Sequence, residues 1–181
     1  MNPEDCSFQG AIYGSLLDKE SLLETLREME RQNIWLQPFP CWVVLDKRLL
    51  KHAAYLAILD FQKETHIAQK LNVQTLLRFA GTTQIRDAIN KFDVKEGEPI
   101  VIVLLAKEGI KQKIKKRLVR NGIISSRERK QLEAKVNLRG IQVVYDLSPR
   151  YVHAIRKGRG YSKKEALVMA IMEKMALLPL Q

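Results

Sequence analysis

The chain has 181 residues and a net charge of +11, with 46% hydrophobic and 28% charged residues. This composition is typical of a globular protein and excludes a disordered chain, and the length favours one domain over residues 1–181. Two cysteines without a Cys-x-x-Cys pair predict neither a disulfide framework nor a zinc site. With an acidic amino terminus and no apolar run near ~20 residues, we expect a soluble, cytoplasmic protein without a membrane span.

The first half of the sequence predicts two strands and two helices, joined by short turns. Apolar runs predict strands at 8–13 and 41–45, and apolar residues at helical spacing predict helices around 22–29 and 50–61. Pro38 and Pro40 interrupt the chain before the second strand. Residues 73–79 fit a strand or a helix equally well.

The second half contains one strong strand signal and several helices. Residues 100–105 are apolar at every position, which places them centrally in a sheet. The other patterns predict helices at 111–120, 127–135 and 165–178, a strand at 141–145, and a loop at 148–162. The order of elements favours an α+β fold, with a mixed sheet and helices packed largely on one face.

The positive charge is concentrated in one part of the chain. Residues 1–106 carry 12 Lys and Arg against 14 Asp and Glu, whereas residues 107–164 carry 18 against 4. Such a concentration is typical of a site for a polyanion, because neutralising phosphates releases counterions. Basic faces also serve solubility alone, so both interpretations stay open. Within this region we expect a basic helical segment around 107–140.

A Gly-Thr-Thr corner at residues 81–83 precedes a short amphipathic pattern. Four apolar residues lie at i, i+3, i+4 and i+7, from Ile85 to Phe92, so a helix is predicted to begin near Thr83, with Thr82 or Thr83 as its N-cap. The corner lacks the Gly-Lys-Ser/Thr ending of a P-loop. Its free amides and positive dipole fit either a plain cap or a surface that holds an anion.

No pattern in the sequence indicates catalysis. A nucleophile elbow and a paired acid and base are missing, and His52, His66 and His153 lie far apart without ligand spacing. We expect each histidine to be a surface or packing residue, and both cysteines to be buried or incidental thiols. The prediction is a protein that is not an enzyme and needs neither cofactor nor metal.

The run from Leu76 to Phe92 resembles the kinase-binding subunit of the KEOPS/EKC complex, the TPRKB-like family. The shared pattern is Gly-x-x-Gln-Ile-x-x-Ala-Ile-x-x-Phe, followed by a Glu96-Gly97 turn and an apolar strand. The similarity continues through the segment 143–148 and into the last helix, so it covers most of the chain in order. Two features depart from the family: Asp93 replaces a usual glycine, and the stretch 111–139 is longer and more basic.

The resemblance implies a non-catalytic accessory subunit of the complex that makes threonylcarbamoyl-adenosine in tRNA. It would bind and stimulate the small atypical kinase, hold the single-stranded CCA end of tRNA, and meet the other KEOPS subunits indirectly. The RNA-binding residues carried over with it are Arg78, Gly81, Thr82, Thr83, Gln84, Ile85 and Arg86. Tyr151 and Tyr161 could stack on bases, although packing is the commoner role. The alternative is a stand-alone basic RNA-binding protein without a kinase partner.

The last helix is apolar on every side, so it fits either a buried core helix or one with a face left for a partner. The resemblance implies the second role, a contact with the kinase. The kinase-binding residues predicted there are Leu167, Val168, Ile171, Met172 and Met175.

Overall fold

A three-stranded antiparallel sheet lies at the centre of the computed structural model, which describes residues 5–107, 109–125 and 137–178. Strands β1 (Ser7–Ser15) and β2 (Trp35–Pro40) both pair with β3 (Pro99–Ala106), which is central as predicted. The α+β class is confirmed. Both strand pairs are antiparallel, however, so the described sheet is not mixed.

Eight α-helices surround the sheet within the described residues. They are α1 (Lys19–Arg31), α2 (Lys47–Gln62), α3 (Leu71–Ala80), α4 (Ile85–Phe92), α5 (Lys111–Arg120), α6 (Leu138–Val144), α7 (Pro149–Arg159) and α8 (Lys163–Ala176). Of these described helices, only α1 and α5 cover one face of the sheet, through residues such as Leu22 and Leu118. The other six contribute to the core on the opposite face. Helices therefore lie largely on one face, as predicted.

The side chains of β3 supply both cores. Val101, Val103 and Leu105 face the larger helical layer, and their even-numbered neighbours face α1 and α5. Successive side chains of a strand point to opposite faces, so a strand that is apolar throughout requires a cover on both sides.

The strand predicted at 41–45 is wrong, because the strand lies earlier, at β2, and Cys41–Val43 forms a single 3₁₀ turn. We interpreted Pro38 and Pro40 as breaks, yet both lie within β2. Within the part of the chain that the structure describes, the sheet order makes β2 an edge strand, where a missing backbone N–H is tolerated.

The strand predicted at 141–145 is also wrong, since this segment is helix α6. Asn137 caps the helix by accepting a hydrogen bond from the Gly140 amide at 3.1 Å. Ile141 and Tyr145 are buried at helical spacing, while Val143 is 79% exposed. In a strand all three would share one face, so the alternation of apolar residues was misleading.

The loop predicted at 148–162 is mostly helix α7. The Ser148 hydroxyl accepts a hydrogen bond from the Tyr151 amide, Pro149 lies in the first turn, and Gly160 ends the helix in the left-handed conformation. Ser, Pro and Gly are therefore caps here, not signs of an irregular chain.

The helices predicted at 111–120 and 165–178 are confirmed as α5 and α8. The helix predicted at 127–135, with the middle of the basic segment around 107–140, lies outside the described residues. Within the described part of the chain, no helix has the length and apolar character needed to span a bilayer.

Candidate interfaces for protein and nucleic acid

The Gly81 corner is the junction between α3 and α4. Gly81 ends α3 in the left-handed conformation, with φ +62°, and its amide donates back to the carbonyls of Leu77 and Arg78. Helix α4 begins at Ile85 with Gln84 as N-cap. The predicted N-cap at Thr82 or Thr83 was therefore wrong, although the Thr82 hydroxyl accepts a hydrogen bond from the Gln84 amide at 3.2 Å.

Gly81 also permits a close approach by α8. A β-carbon added at Gly81 would lie 2.9 Å from Cγ of Lys174, a distance that real β-carbons essentially never show. The Lys174 side chain is fixed in turn, because its Nζ donates to the Tyr145 carbonyl at 2.8 Å. Glycine at this corner thus satisfies both the backbone conformation and the packing of a neighbouring helix.

Arg78, predicted as a cation beside RNA, is buried in the structure. It is only 3% exposed, and its guanidinium pairs with the carboxylate of Asp60, which is equally enclosed. Arg78 Nε donates to Asp60 Oδ2 at 2.7 Å, and Nη2 donates to Oδ1. A side chain enclosed in this way has no surface for RNA, so that prediction is corrected to a structural role.

The Asp60–Arg78 pair ties three elements together. Arg78 Nη1 donates at 2.9 Å to the carbonyl of Met175, near the end of α8, where helix carbonyls lack partners of their own. Gln74 donates to Asp60 at 2.6 Å and accepts the amides of Ile67 and Ala68. The network therefore joins α2, α3 and α8, together with the segment that connects α2 to α3.

Helix α4 turns one side to the core and the other to solvent. Ala88 and Phe92 are buried, and the Phe92 ring packs 5.5 Å from that of Phe79 and 5.9 Å from that of Tyr145. Ile85 and Ile89 remain 42% and 49% exposed. The sequence had placed both isoleucines in the same apolar stripe as the two buried residues.

We refer to Gln84, Ile85, Arg86 and Ile89 as the α4 face. All four are exposed, and Thr82 and Thr83 beside them are half-buried. Gln84 makes no side-chain capping bond, so the first amides of α4 stay available. Ile89 was not among the site residues predicted from the sequence, although its spacing of four from Ile85 places both side chains on one side of α4.

Four of the five residues predicted to bind the kinase are core residues instead. Leu167, Val168, Ile171 and Met175 have no measurable exposure, because they lie in the large core, where α8 packs against α2, α3 and α7. This corrects the prediction for these four side chains. Met172 is half-buried and remains accessible.

A groove with a volume of about 650 Å³ runs between α7 and α8. Its lining residues are mostly apolar: His52, Ala154, Ile155, Gly158, Arg159, Tyr161, Met169, Met172, Glu173 and Ala176. We call it the α7–α8 groove. His52 Nε2 donates to the Met172 carbonyl at 3.2 Å. Burial lowers the pKa of His52, and the nearby Arg78 lowers it further.

The two tyrosines singled out from the sequence have different surroundings. The Tyr151 hydroxyl donates to the Glu173 carboxylate, and burial together with this partner raises the pKa of Tyr151 to about 12. Tyr161 lines the α7–α8 groove and packs against the core. The Tyr151 side chain is 37% exposed, whereas Tyr161 is half-buried.

The two cysteines and His66 show no sign of a catalytic or metal-binding role. Burial raises the pKa of the Cys41 thiol to about 12 and also raises that of Cys6, so both are poor nucleophiles near neutral pH. The His66 ring stacks on Phe61 with ring centroids 4.2 Å apart, which confirms a packing role. Among the described residues, no three His, Cys, Asp or Glu side chains form a group that could hold a metal ion.

The fold divides the basic region between the two faces of the sheet. Helix α5 lies on the small face, and within the described chain its one ion pair joins Arg117 to Glu28. Helix α7 lies on the large face with α4 and α8, and carries Arg150, Arg156, Lys157 and Arg159.

The chain was compared with models of known protein families. A family model described as kinase binding protein CGI-121 matches residues 21–178. The matched range includes the Gly81 corner, the α4 face and the α7–α8 groove, and it begins after β1. A comparison with curated protein sequences found no match.

Proposed function

This chain belongs to the CGI-121 family of kinase binding proteins, and we propose that it is a non-catalytic accessory subunit of the KEOPS tRNA-modification complex. In this role it binds and stimulates the small atypical kinase of that complex and holds the CCA end of tRNA. The family match over residues 21–178 carries the kinase-binding part of the proposal. Two surfaces supply the means, the α7–α8 groove and the α4 face.

The α7–α8 groove has the character of a protein-docking surface. Its volume of about 650 Å³ admits several side chains of a partner, and its floor is apolar. Met169 and Met172 are unbranched, so their side chains adapt to an incoming surface. Glu173 and Arg159 at the groove add charges that could orient the partner. The predicted role of α8 in kinase binding is thereby moved from its buried residues to its accessible edge.

Substitution within the groove tests the kinase contact. We expect Met172→Glu to abolish co-purification with the kinase and stimulation of its ATPase, because a carboxylate would be buried in an apolar contact. Ala176→Arg provides a second variant, since Ala176 is exposed and fills no core position. Leu23→Glu, an exposed apolar residue on α1, is the matched control and should bind as wild type. Unchanged kinase binding by folded Met172→Glu and Ala176→Arg would exclude this surface.

The α4 face suits a single-stranded RNA end. Such ends are recognised by apolar or stacking contacts to the bases combined with positive charge along the backbone. Ile85 and Ile89 offer an exposed apolar pair, and Arg86 and the amides at the start of α4 offer an anion site. Arg156, Lys157 and Arg159 of α7, on the same side of the sheet, are available for more distant phosphates.

A gel shift with two forms of tRNA tests this part. We expect removal of the CCA end to weaken binding at least about ten-fold, equivalent to ~1.4 kcal/mol. An Arg86→Gln, Ile89→Ala variant should lose that difference. If both tRNA forms bind equally and the kinase does not co-purify, a stand-alone basic RNA-binding protein becomes the better description.

A further inference from the structure

A second, smaller pocket lies where α6, α7 and the start of α8 meet. Its volume is about 230 Å³, and its lining among the described residues consists of Gln142, Pro149, Val152, His153, Arg156 and Lys163. None of these residues lines the α7–α8 groove. The two cavities therefore use different sides of α7.

The described lining of the pocket contains three basic side chains and no acidic one. His153, Arg156 and Lys163 come from two helices, and no carboxylate lies among the described lining residues. Across 5–107, 109–125 and 137–178, neither Arg156 nor Lys163 forms an ion pair. From Leu147 to Lys164 the chain has six Lys and Arg and no Asp or Glu. Holding like charges together costs Coulomb energy, which a bound anion would offset.

The rest of the lining is fixed by the fold. Val152 is buried and forms an apolar wall, and the capped start of α7 holds Pro149 in place. Gln142 Nε2 donates to the Leu147 carbonyl at 3.1 Å, which orients its amide. His153, Arg156 and Lys163 are all exposed to solvent, and they border a concave surface whose apolar wall is Val152.

We propose that this pocket binds a phosphate group. An arginine guanidinium offers paired donors that match phosphate oxygens, and lysine adds a point charge. At roughly 30 Å³ per water molecule, the volume corresponds to about eight waters, enough for a phosphate with part of an attached sugar. The phosphate comes either from an RNA backbone, an assignment that rests on the proposed function, or from a small phosphorylated molecule, which does not require it.

Titration with inorganic phosphate at constant ionic strength, followed by amide NMR shifts of the full chain, tests the pocket directly. We expect saturable shifts at the amides of Gln142, His153, Arg156 and Lys163, and at least a five-fold weaker affinity in Arg156→Gln. Arg150→Gln is the matched control, because it removes the same charge from an exposed position on the same helix outside the pocket. It should retain wild-type affinity.

A short single-stranded RNA without a CCA end, measured by fluorescence anisotropy, identifies the source of the phosphate. Weaker RNA binding by Arg156→Gln than by Arg150→Gln supports a backbone phosphate. A difference seen with inorganic phosphate alone supports a small ligand. Equal affinities of the two variants in both titrations would contradict the proposal that this pocket binds phosphate. The CCA experiment is read out separately, so either proposal can fail without the other.

Discussion

The two halves of the segment from Leu76 to Phe92 behave as opposites. The α3 half is enclosed: Arg78 is 3% exposed and bound to Asp60 and to the end of α8. The α4 half is open, with Ile85 and Ile89 exposed and Arg86 without an ion pair in the described chain. Two arginines only eight positions apart therefore have different roles. One continuous motif thus contains a buried structural part, the α3 half, and an exposed surface, the α4 half, which the buried part holds in place.

The largest difference in the free energy of unfolding is expected between variants of the two arginines. We expect Arg78→Met to lower the free energy of unfolding by about 3–5 kcal/mol, because it leaves the Asp60 carboxylate buried without its partner. Arg86→Met should change that free energy by less than about 0.5 kcal/mol. Urea unfolding measures both. A difference below about 1 kcal/mol between the two variants would contradict the assignment of Arg78 to the scaffold.

Gly81 lies on the boundary between the halves, and its substitution should have an intermediate effect. We expect Gly81→Ala to cost about 1–2 kcal/mol for the left-handed backbone, and more for the contact with Lys174. Gly97→Ala is the control, because φ is also positive there but nothing lies within 4 Å of an added β-carbon. Adding Lys174→Ala should recover only the contact part of the Gly81 loss. Equal losses of unfolding free energy in Gly81→Ala and Gly97→Ala would show that the close approach of Lys174 to Gly81 does not affect stability.

Lowering the pH should reduce the stability of the fold through His52, which joins α2 to α8, by a smaller amount. Its folded-state pKa lies below the ordinary value of 6.5, so the unfolded chain takes up the proton first. Stability is then present above pH ~6.5 and is lost as the pH falls through the folded-state pKa. Thermal unfolding of wild type and His52→Gln across this range measures the difference. Identical pH profiles would show that His52 is not responsible.

The smallest effect on stability is expected on the α4 half. Ile85→Ala should leave the free energy of unfolding within about 0.5 kcal/mol of wild type, because the side chain is already half in water. The same change should weaken binding of CCA-ended tRNA several-fold if that face holds the strand. Val143→Ala, exposed on α6, is a matched apolar control for both measurements. If Ile85→Ala lowered the free energy of unfolding but left RNA binding unchanged, Ile85 would have a structural role and not a binding role.

Sequence reasoning identified the helices and strands that have a strong local pattern of apolar residues. It missed features that depend on contacts with distant parts of the chain. The central strand at Ile100 and the last helix follow from local apolar patterns. Burial of Arg78 could not be foreseen, because it depends on Asp60 and on a carbonyl 97 positions away. The accessible edge at Met172 likewise became visible only once α7 was seen to be a helix. The apolar and basic character of the predicted sites could be identified from the sequence. Whether a given side chain faces the core or the solvent depends on contacts with residues far away in the chain.

The two prolines of β2 have a consequence for how this molecule can assemble. They lie two positions apart on an edge strand, and neither has an amide hydrogen to donate. A foreign strand that approached this border would lack hydrogen-bond donors at both positions, so extension of the sheet from one copy to the next is discouraged. Association along this border is therefore disfavoured, which leaves the β1 edge and the helical layers for contacts with other chains.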